Sequence, residues 1–82
     1  MTDIVALDVI RRTIHEIAPE ADLDEVGPDD TLRESLDLDS IDFLNFVVGL
    51  HEKTGMDIPE RDYSHLFTLA GCVSYLSSAA QA

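Results

Sequence analysis

The sequence is poor in basic residues. Five Lys and Arg face 17 Asp and Glu among 82 residues, which gives a formal net charge of −12. Contacts with nucleic-acid phosphates need Lys and Arg, so direct nucleic-acid binding is not expected. The acidic balance favours protein partners with basic surfaces, whose approach it would accelerate. The charge could equally serve only to keep a small protein soluble, and composition does not separate these two interpretations.

Cysteine and long apolar runs are also scarce. The single cysteine, Cys72, excludes an internal disulfide and a cysteine-based zinc site, and its apolar helical surroundings predict a buried thiol. No apolar run approaches the length of a membrane span. The N-terminal Met1-Thr2-Asp3-Ile4 lacks the basic start of a signal segment, so we expect a cytoplasmic location.

Strand patterns are missing, and helical spacing takes their place. Apolar residues recur every three or four positions over residues 3–17, 40–54 and 69–78, which predicts three main helices. Pro59 favours a short third helix over residues 60–66. The sequence therefore predicts an all-α fold, a small four-helix bundle with three main helices, one short third helix and a long first loop.

The two ends of the chain carry further expectations. The first helix should turn one apolar face to the core, formed by Ile4, Leu7, Ile10, Ile14 and Ile17. At the other end we expect a frayed tail from about residue 78. The length of 82 residues predicts a single domain.

The loop between the first two main helices, residues 18–39, is expected to be ordered. It holds nine Asp and Glu and one basic residue, Arg33. A structureless loop of this length is unusual in a small domain. Apolar residues suited to packing on the helices occur throughout it: Leu23, Val26, Leu32, Leu36 and Leu38. Thr31 is placed to open a short helical turn.

The loop ends at a hydroxyl that begins the second main helix. Asp39 is a good N-cap residue, so Ser40 should occupy the first helical position. Its hydroxyl would be exposed beside backbone N–H groups that have no helical partner. An anion attached to that oxygen would be stabilised by the positive end of the helix dipole.

The run Leu36-Asp37-Leu38-Asp39-Ser40-Ile41 resembles the Leu-Gly-x-Asp-Ser-Leu motif of acyl carrier proteins. The resemblance continues through Gly55, Asp57-Ile58-Pro59 and Thr68, and so covers essentially the whole chain. It implies that a phosphopantetheinyl transferase, with magnesium present, transfers 4′-phosphopantetheine from coenzyme A to Ser40. Asp39 would cap the helix and assist recognition by the transferase. The thiol of the arm would carry acyl groups as thioesters, and the carrier itself would catalyse nothing.

The resemblance also implies two surfaces. The partners would be an acyl- or aminoacyl-loading ligase and downstream acyl-transfer enzymes with basic surfaces, and the carrier would be a monomer. The residues expected to dock these enzymes are Asp37, Ile41, Asp42, Asn45, Val48, His51 and Glu52. The residues expected near a cavity for the cargo are Phe43, Phe46, Val47, Leu50, Ile58, Tyr63 and Leu66.

Three departures from the family pattern favour a specialised pathway over housekeeping fatty-acid synthesis. Asp37 stands where the family usually has glycine. The second main helix has non-acidic residues where acids are common, at Asn45, Val48 and His51. Large rings lie near the expected cargo cavity, at Phe43, Phe46 and Tyr63. Bulky rings would block a long chain or favour a short cargo.

The sequence leaves other functions open. The chain could be an aminoacyl or peptidyl carrier for a standalone adenylating enzyme, or an unmodified carrier-like docking subunit. A hydrolase built on Ser40 with His15, His51 or His65 would need a nucleophile elbow, and the sequence lacks one.

A calcium site is not expected either. In an EF-hand loop counted from Asp37, the fifth position would be Ile41, the sixth Asp42 and the twelfth Val48. These are not the residues that such a loop requires, so no metal site is predicted.

Overall fold

Four α-helices and two 3₁₀ segments follow one another along the chain. The computed structural model describes residues 1–79. The α-helices are α1 (Asp3–Ile17), α2 (Leu32–Ser35), α3 (Ser40–Thr54) and α4 (Leu69–Ala79), and the 3₁₀ segments are Leu23–Glu25 and Glu60–Leu66. Within residues 1–79 the only β-type pairing is an isolated bridge between Thr31 and Thr68. The predicted all-α architecture, including the short third helix over 60–66, is confirmed.

Local signals explain where the long helices begin and end. Thr2 Oγ1 accepts a hydrogen bond from the Val5 N–H at 3.2 Å, so α1 begins at Asp3. Gly55 ends α3 in the left-handed conformation, with φ of 72°, and its N–H donates to the His51 carbonyl.

The last helix reaches one residue further than the predicted range of 69–78. Helix α4 continues to Ala79, so Ser78 and Ala79, assigned to a frayed tail from the sequence, are helical. The remaining residues of that predicted tail, 80–82, lie outside the described residues.

The core lies where α1 packs against α3 and α4, and where α4 packs against the 3₁₀ helix Glu60–Leu66. Its fully buried apolar side chains come from all of these elements and from the long loop: Ala6, Ile10, Leu32, Phe46, Leu50, Leu66, Cys72 and Leu76. Cys72 is buried, as predicted.

One prediction for α1 is wrong. Ile4 was expected to face the core, but 82% of it is exposed. The buried residues of α1 are Ala6, Ile10, Thr13 and Ile14. Thr13 can be buried because its hydroxyl donates to the Val9 carbonyl at 2.7 Å. The buried stripe is therefore rotated toward small side chains, which let α3 approach closely.

The long loop is ordered, as its apolar residues predicted. Leu23, Val26, Leu32 and Leu38 are buried, and Leu36 packs against the core. Two backbone hydrogen bonds tie the loop to the start of α4, one from the Leu32 N–H to the Phe67 carbonyl at 2.8 Å and one from the Ala70 N–H to the Pro28 carbonyl at 2.9 Å. Buried side chains and backbone hydrogen bonds thus both hold the loop that precedes Ser40.

Candidate functional site

The start of α3 is closed by two aspartates that cap one another. Asp39 is the N-cap residue, as predicted, and its Oδ1 accepts from the Asp42 N–H at 2.8 Å. Asp42 Oδ2 accepts from the Asp39 N–H at 3.3 Å, which completes a capping box. The second half of this box was missed, although the acid three residues after Asp39 was its signal. Ser40 is left as the first helical residue, with an exposed side chain.

The turn that leads to Ser40 has the backbone of a Schellman motif. Leu36 ends α2, and the Leu38 N–H donates to the Arg33 carbonyl at 2.8 Å. Between them Asp37 has φ of 55°, the only positive φ of a non-glycine residue within residues 1–79. This conformation favours glycine, because a Cβ crowds the backbone there. The turn therefore keeps a glycine-type geometry with an aspartate in it.

Arg33 reaches across this turn to Ser40. Arg33 Nη2 lies 3.2 Å from Ser40 Oγ. A guanidinium can only donate, so the serine oxygen accepts and its own O–H remains available to another acceptor. The N–H groups of Ser40 and Ile41 donate no hydrogen bond to any of residues 1–79. Ser40 Oγ therefore stands among donors, a setting suited to an attached anion.

The outward face of α3 is apolar where it adjoins Ser40. Three large aliphatic side chains are about half exposed or more: Ile41 at 69%, Leu44 at 49% and Val48 at 51%. The residues predicted to dock partners lie around this stripe. Ile41 and Val48 belong to the stripe itself. Also exposed are Asp37, Asn45, His51 and Glu52. Asp42 is partly buried, since its side chain caps the helix.

The residues predicted to form a cargo cavity divide into two groups. Phe43, Phe46, Leu50 and Leu66 are buried in the core. Ile58 and Tyr63 line an open groove of about 660 Å³ between α3 and the segment that follows it, together with Val47, which is itself only 4% exposed. His51, Asp57 and Arg61 contribute polar groups to the same groove.

Phe43 fills the space behind this groove. Its ring centroid lies 6.1 Å from that of Tyr63, 5.8 Å from that of Phe67 and 6.3 Å from that of Phe46. The pairs with Tyr63 and Phe67 are edge-to-face, a geometry that stabilises aromatic clusters. The Phe43 and Phe46 rings are buried in the interior, Tyr63 is partly buried, and Phe67 is 44% exposed at the edge of the cluster.

Comparison with known proteins agrees with this geometry. The family model described as a phosphopantetheine attachment site matches residues 8–76. The chain belongs to the phosphopantetheine-binding acyl carrier family. Proteins of this family are carriers that hold 4′-phosphopantetheine covalently and work with a phosphopantetheinyl transferase and acyl-transfer enzymes.

Curated relatives support the same assignment. An acyl carrier protein of Renibacterium salmoninarum is 42% identical over 63 residues, covering 77% of this chain and 73% of the relative. One of Rubrobacter xylanophilus is 33% identical over 70 residues, covering 82% and 86%. One of Lactobacillus johnsonii is 37% identical over 57 residues, covering 70% and 71%. The similarity to acyl carrier proteins thus extends over most of the length of each chain.

In an acyl carrier protein, the hydrogen-bond donors around Ser40 have a candidate ligand. The group that the family carries is joined to its protein through a phosphodiester, which is an anion. An exposed hydroxyl, one guanidinium and two N–H groups that have no partner among the described residues fit such an anion. The arm supplies a thiol at its far end, which holds the acyl group as a thioester.

Neither the Cys72 thiol nor the His51 imidazole is hydrogen-bonded to Ser40. Burial raises the pKa of Cys72 to about 12, so its thiol stays protonated near neutral pH. His51 Nδ1 donates to the Met56 carbonyl at 2.7 Å. No group of three or more His, Cys, Asp and Glu suited to a metal ion occurs within residues 1–79. No helix described in that range is long and apolar enough to cross a membrane.

Proposed function

We propose that Ser40 is the residue that carries 4′-phosphopantetheine in this acyl carrier. The single observation that carries the proposal is the position of Ser40 Oγ, exposed on the first residue of a capped helix and contacted by Arg33 at 3.2 Å. The resemblance implies that Ser40 Oγ forms a bond to the phosphorus of coenzyme A that bears the pantetheine. The pyrophosphate bond breaks, adenosine 3′,5′-bisphosphate leaves, and the hydroxyl proton passes to a base of the transferase.

Mass spectrometry tests this attachment. The purified protein is incubated with coenzyme A, magnesium and a phosphopantetheinyl transferase, and a gain of one phosphopantetheine group is expected. Ser40→Ala should show no gain. Ser35→Ala is the matched control, since Ser35 is exposed one short turn earlier in the chain, and it should be modified like the wild type. A gain that survives Ser40→Ala would overturn the assignment.

We further propose a short or unusual cargo and a specialised pathway. The support comes from Phe43, whose ring fills the interior behind the groove, and from the groove itself, which is open to solvent. A long alkyl chain would need Phe43 to move, whereas a short acyl group can lie along Val47 and Ile58. The cargo groove at these residues stays a prediction until an acylated form is measured.

Acyl groups of increasing length test the cargo. They are loaded onto the modified protein, and the melting temperature is recorded for each. In the wild type, we expect the melting temperature to rise over the first few carbons of the acyl chain and then to level off. Phe43→Leu should extend the rise to longer chains, because a smaller side chain leaves room in the interior. A continuous rise with chain length in the wild type would contradict a short cargo.

The runner-up is an aminoacyl or peptidyl carrier. Loading trials with an adenylating enzyme and amino acids, run beside an acyl ligase and fatty acids, distinguish the two.

The other alternative is an unmodified docking subunit. The intact mass of the protein from its native source tests it, because a docking subunit would carry no arm.

For partners, we propose that the exposed stripe of Ile41, Leu44 and Val48 contacts acyl-transfer and loading enzymes, with the acids around Ser40 meeting their basic surfaces. Asn45, His51 and Glu52 border the stripe. We also propose that the carrier is a monomer, catalyses no reaction itself and works in the cytoplasm. Val48→Glu should weaken binding of a loading enzyme while leaving modification of Ser40 intact.

A further inference from the structure

We propose that Arg33 is a positioning residue for the arm: its guanidinium binds the phosphodiester formed at Ser40 and restrains the first bonds of the arm. This inference rests on the proposed attachment at Ser40. Arg33 Nη2 already lies 3.2 Å from the oxygen to which the phosphorus would be bonded. The charged phosphodiester oxygens would lie two bonds from that oxygen, through the phosphorus, which is within the reach of a flexible arginine side chain.

Arg33 is available for this role because its charge is not used elsewhere. Of the five Lys and Arg residues, three form close ion pairs: Arg11 with Asp24 at 2.7 Å, Arg12 with Asp8 at 2.9 Å and Lys53 with Glu16 at 2.7 Å. Arg33 forms no salt bridge with any carboxylate of residues 1–79, although its neighbour Glu34 is acidic. Its one polar side-chain contact in that range is with Ser40.

The negative charge around Ser40 favours a cation at this point. Between residues 13 and 52 Arg33 is the only Lys or Arg. Asp37, Asp39 and Asp42 lie close to Ser40 in the chain, and a phosphodiester adds one more negative charge among them. A guanidinium can pair with two phosphate oxygens at once, which lowers this repulsion and fixes direction as well as distance.

The backbone holds Arg33 in place for this contact. Leu32, the residue before it, is fully buried, and its N–H donates to the Phe67 carbonyl. The carbonyl of Arg33 accepts from Leu38 in the turn that leads to Ser40. The side chain therefore starts from a fixed position on the same turn that presents the serine, and only its own rotamers have to be ordered on binding.

Nuclear magnetic resonance on the apo and modified forms tests the proposal without any enzyme assay. On modification, the side-chain Nε–H resonance of Arg33 should shift, and those of Arg12 and Arg61 should not. The phosphorus resonance of the modified wild type should be broader than that of Arg33→Gln, because the phosphodiester loses a restraint in the variant. Arg33→Lys should fall between the two, since it keeps the charge and loses the two-pronged geometry. High salt should weaken the contact and bring the wild type toward the variant.

Arg12→Gln is the matched control, because it removes one positive charge from an exposed site on α1. It should give the phosphorus line width of the wild type. Unchanged line width in Arg33→Gln, or an Arg33 Nε–H that does not shift on modification, would overturn the inference. If Arg33→Gln failed to fold, the wild-type comparison of apo and modified Arg33 would still decide. Absence of modification at Ser40 by mass would instead defeat the proposed function, so the two failures are distinguishable.

Discussion

A Cβ placed on Gly49 of α3 would lie 2.6 Å from Cγ2 of Thr13 on α1, a distance that side-chain atoms do not tolerate without a shift. The two helices therefore approach one another where one has no side chain and the other has a small one. This contact is also where the sequence-based stripe for α1 failed, because Thr13 rather than Ile4 faces the core.

Gly49→Ala is expected to destabilise the protein despite the better helix propensity of alanine. Overpacking a core costs about 1–3 kcal/mol, and the propensity gain offsets about 1 kcal/mol. We expect a net loss of about 1 kcal/mol in chemical denaturation. In a Thr13→Ser background, which removes Cγ2 and keeps the hydroxyl bond to Val9, the same change should be neutral or stabilising. Equal losses in both backgrounds would contradict the Thr13–Gly49 contact.

Asp37→Gly should stabilise the turn before Ser40. Asp37 has φ of 55°, and a glycine there avoids the crowding that a Cβ suffers. The expected gain in the free energy of unfolding is up to about 1 kcal/mol, reduced by the greater freedom of glycine in the unfolded chain. Asp29→Gly, at an exposed residue whose φ is not positive, is the control and should not stabilise. A loss of stability in Asp37→Gly would mean that the carboxylate itself holds the turn.

The two substitutions Asp39→Ala and Asp39→Asn separate capping from recognition. Alanine removes the acceptor of the Asp42 N–H and should cost about 1 kcal/mol of stability, whereas asparagine caps nearly as well. If Asp39 also assists the transferase through its charge, Asp39→Asn should fold like the wild type and be modified more slowly. Modification of Asp39→Asn at the wild-type rate would leave Asp39 with the capping role alone.

Stability should fall at alkaline pH because of Cys72. Burial raises its pKa from 9.0 to about 12, so between these values the unfolded chain releases a proton that the folded chain keeps. The contribution is complete below pH 9 and is lost as pH rises toward 12. Between pH 9 and 12, the titration of this residue should lower the free energy of unfolding by about 1.4 kcal/mol for each pH unit.

Cys72→Ala is the comparison for this slope. All other titratable groups are common to the two proteins, so the difference between the slopes isolates the thiol. Identical slopes for the wild type and Cys72→Ala above pH 9 would show that the thiol titrates normally in the folded state. In the same samples, a thiol reagent should label Cys72 only after unfolding.

Much of this fold could be predicted from the sequence, because its signals are local. Asp39 and Gly55 mark the ends of α3 by their own chemistry, and Pro59 precedes the short third helix. The errors have a different origin. Ile4 fits the spacing of a buried stripe, but the position of the partner helices, which spacing does not encode, decides which side of α1 is covered.

One part of the candidate site could likewise be predicted from local sequence, and another part could not. The capped serine could be predicted, since it depends on neighbours within three residues. The Arg33–Ser40 contact could not, because it joins residues seven apart across a turn whose shape depends on the left-handed backbone of Asp37. The separation of core rings from groove-lining residues likewise depends on packing between α3 and the 3₁₀ helix, which no local pattern specifies.

The hydrogen bonds from Leu32 to Phe67 and from Ala70 to Pro28 have a consequence for motion. They join the loop that presents the serine to the start of the last helix, and the Phe67 ring packs on Phe43 beside the groove. These segments should therefore open together as one cooperative unit, and the amides of Leu32 and Ala70 should exchange with solvent deuterium at matching free energies. Cargo bound in the groove would then change how often the segment that presents Ser40 opens.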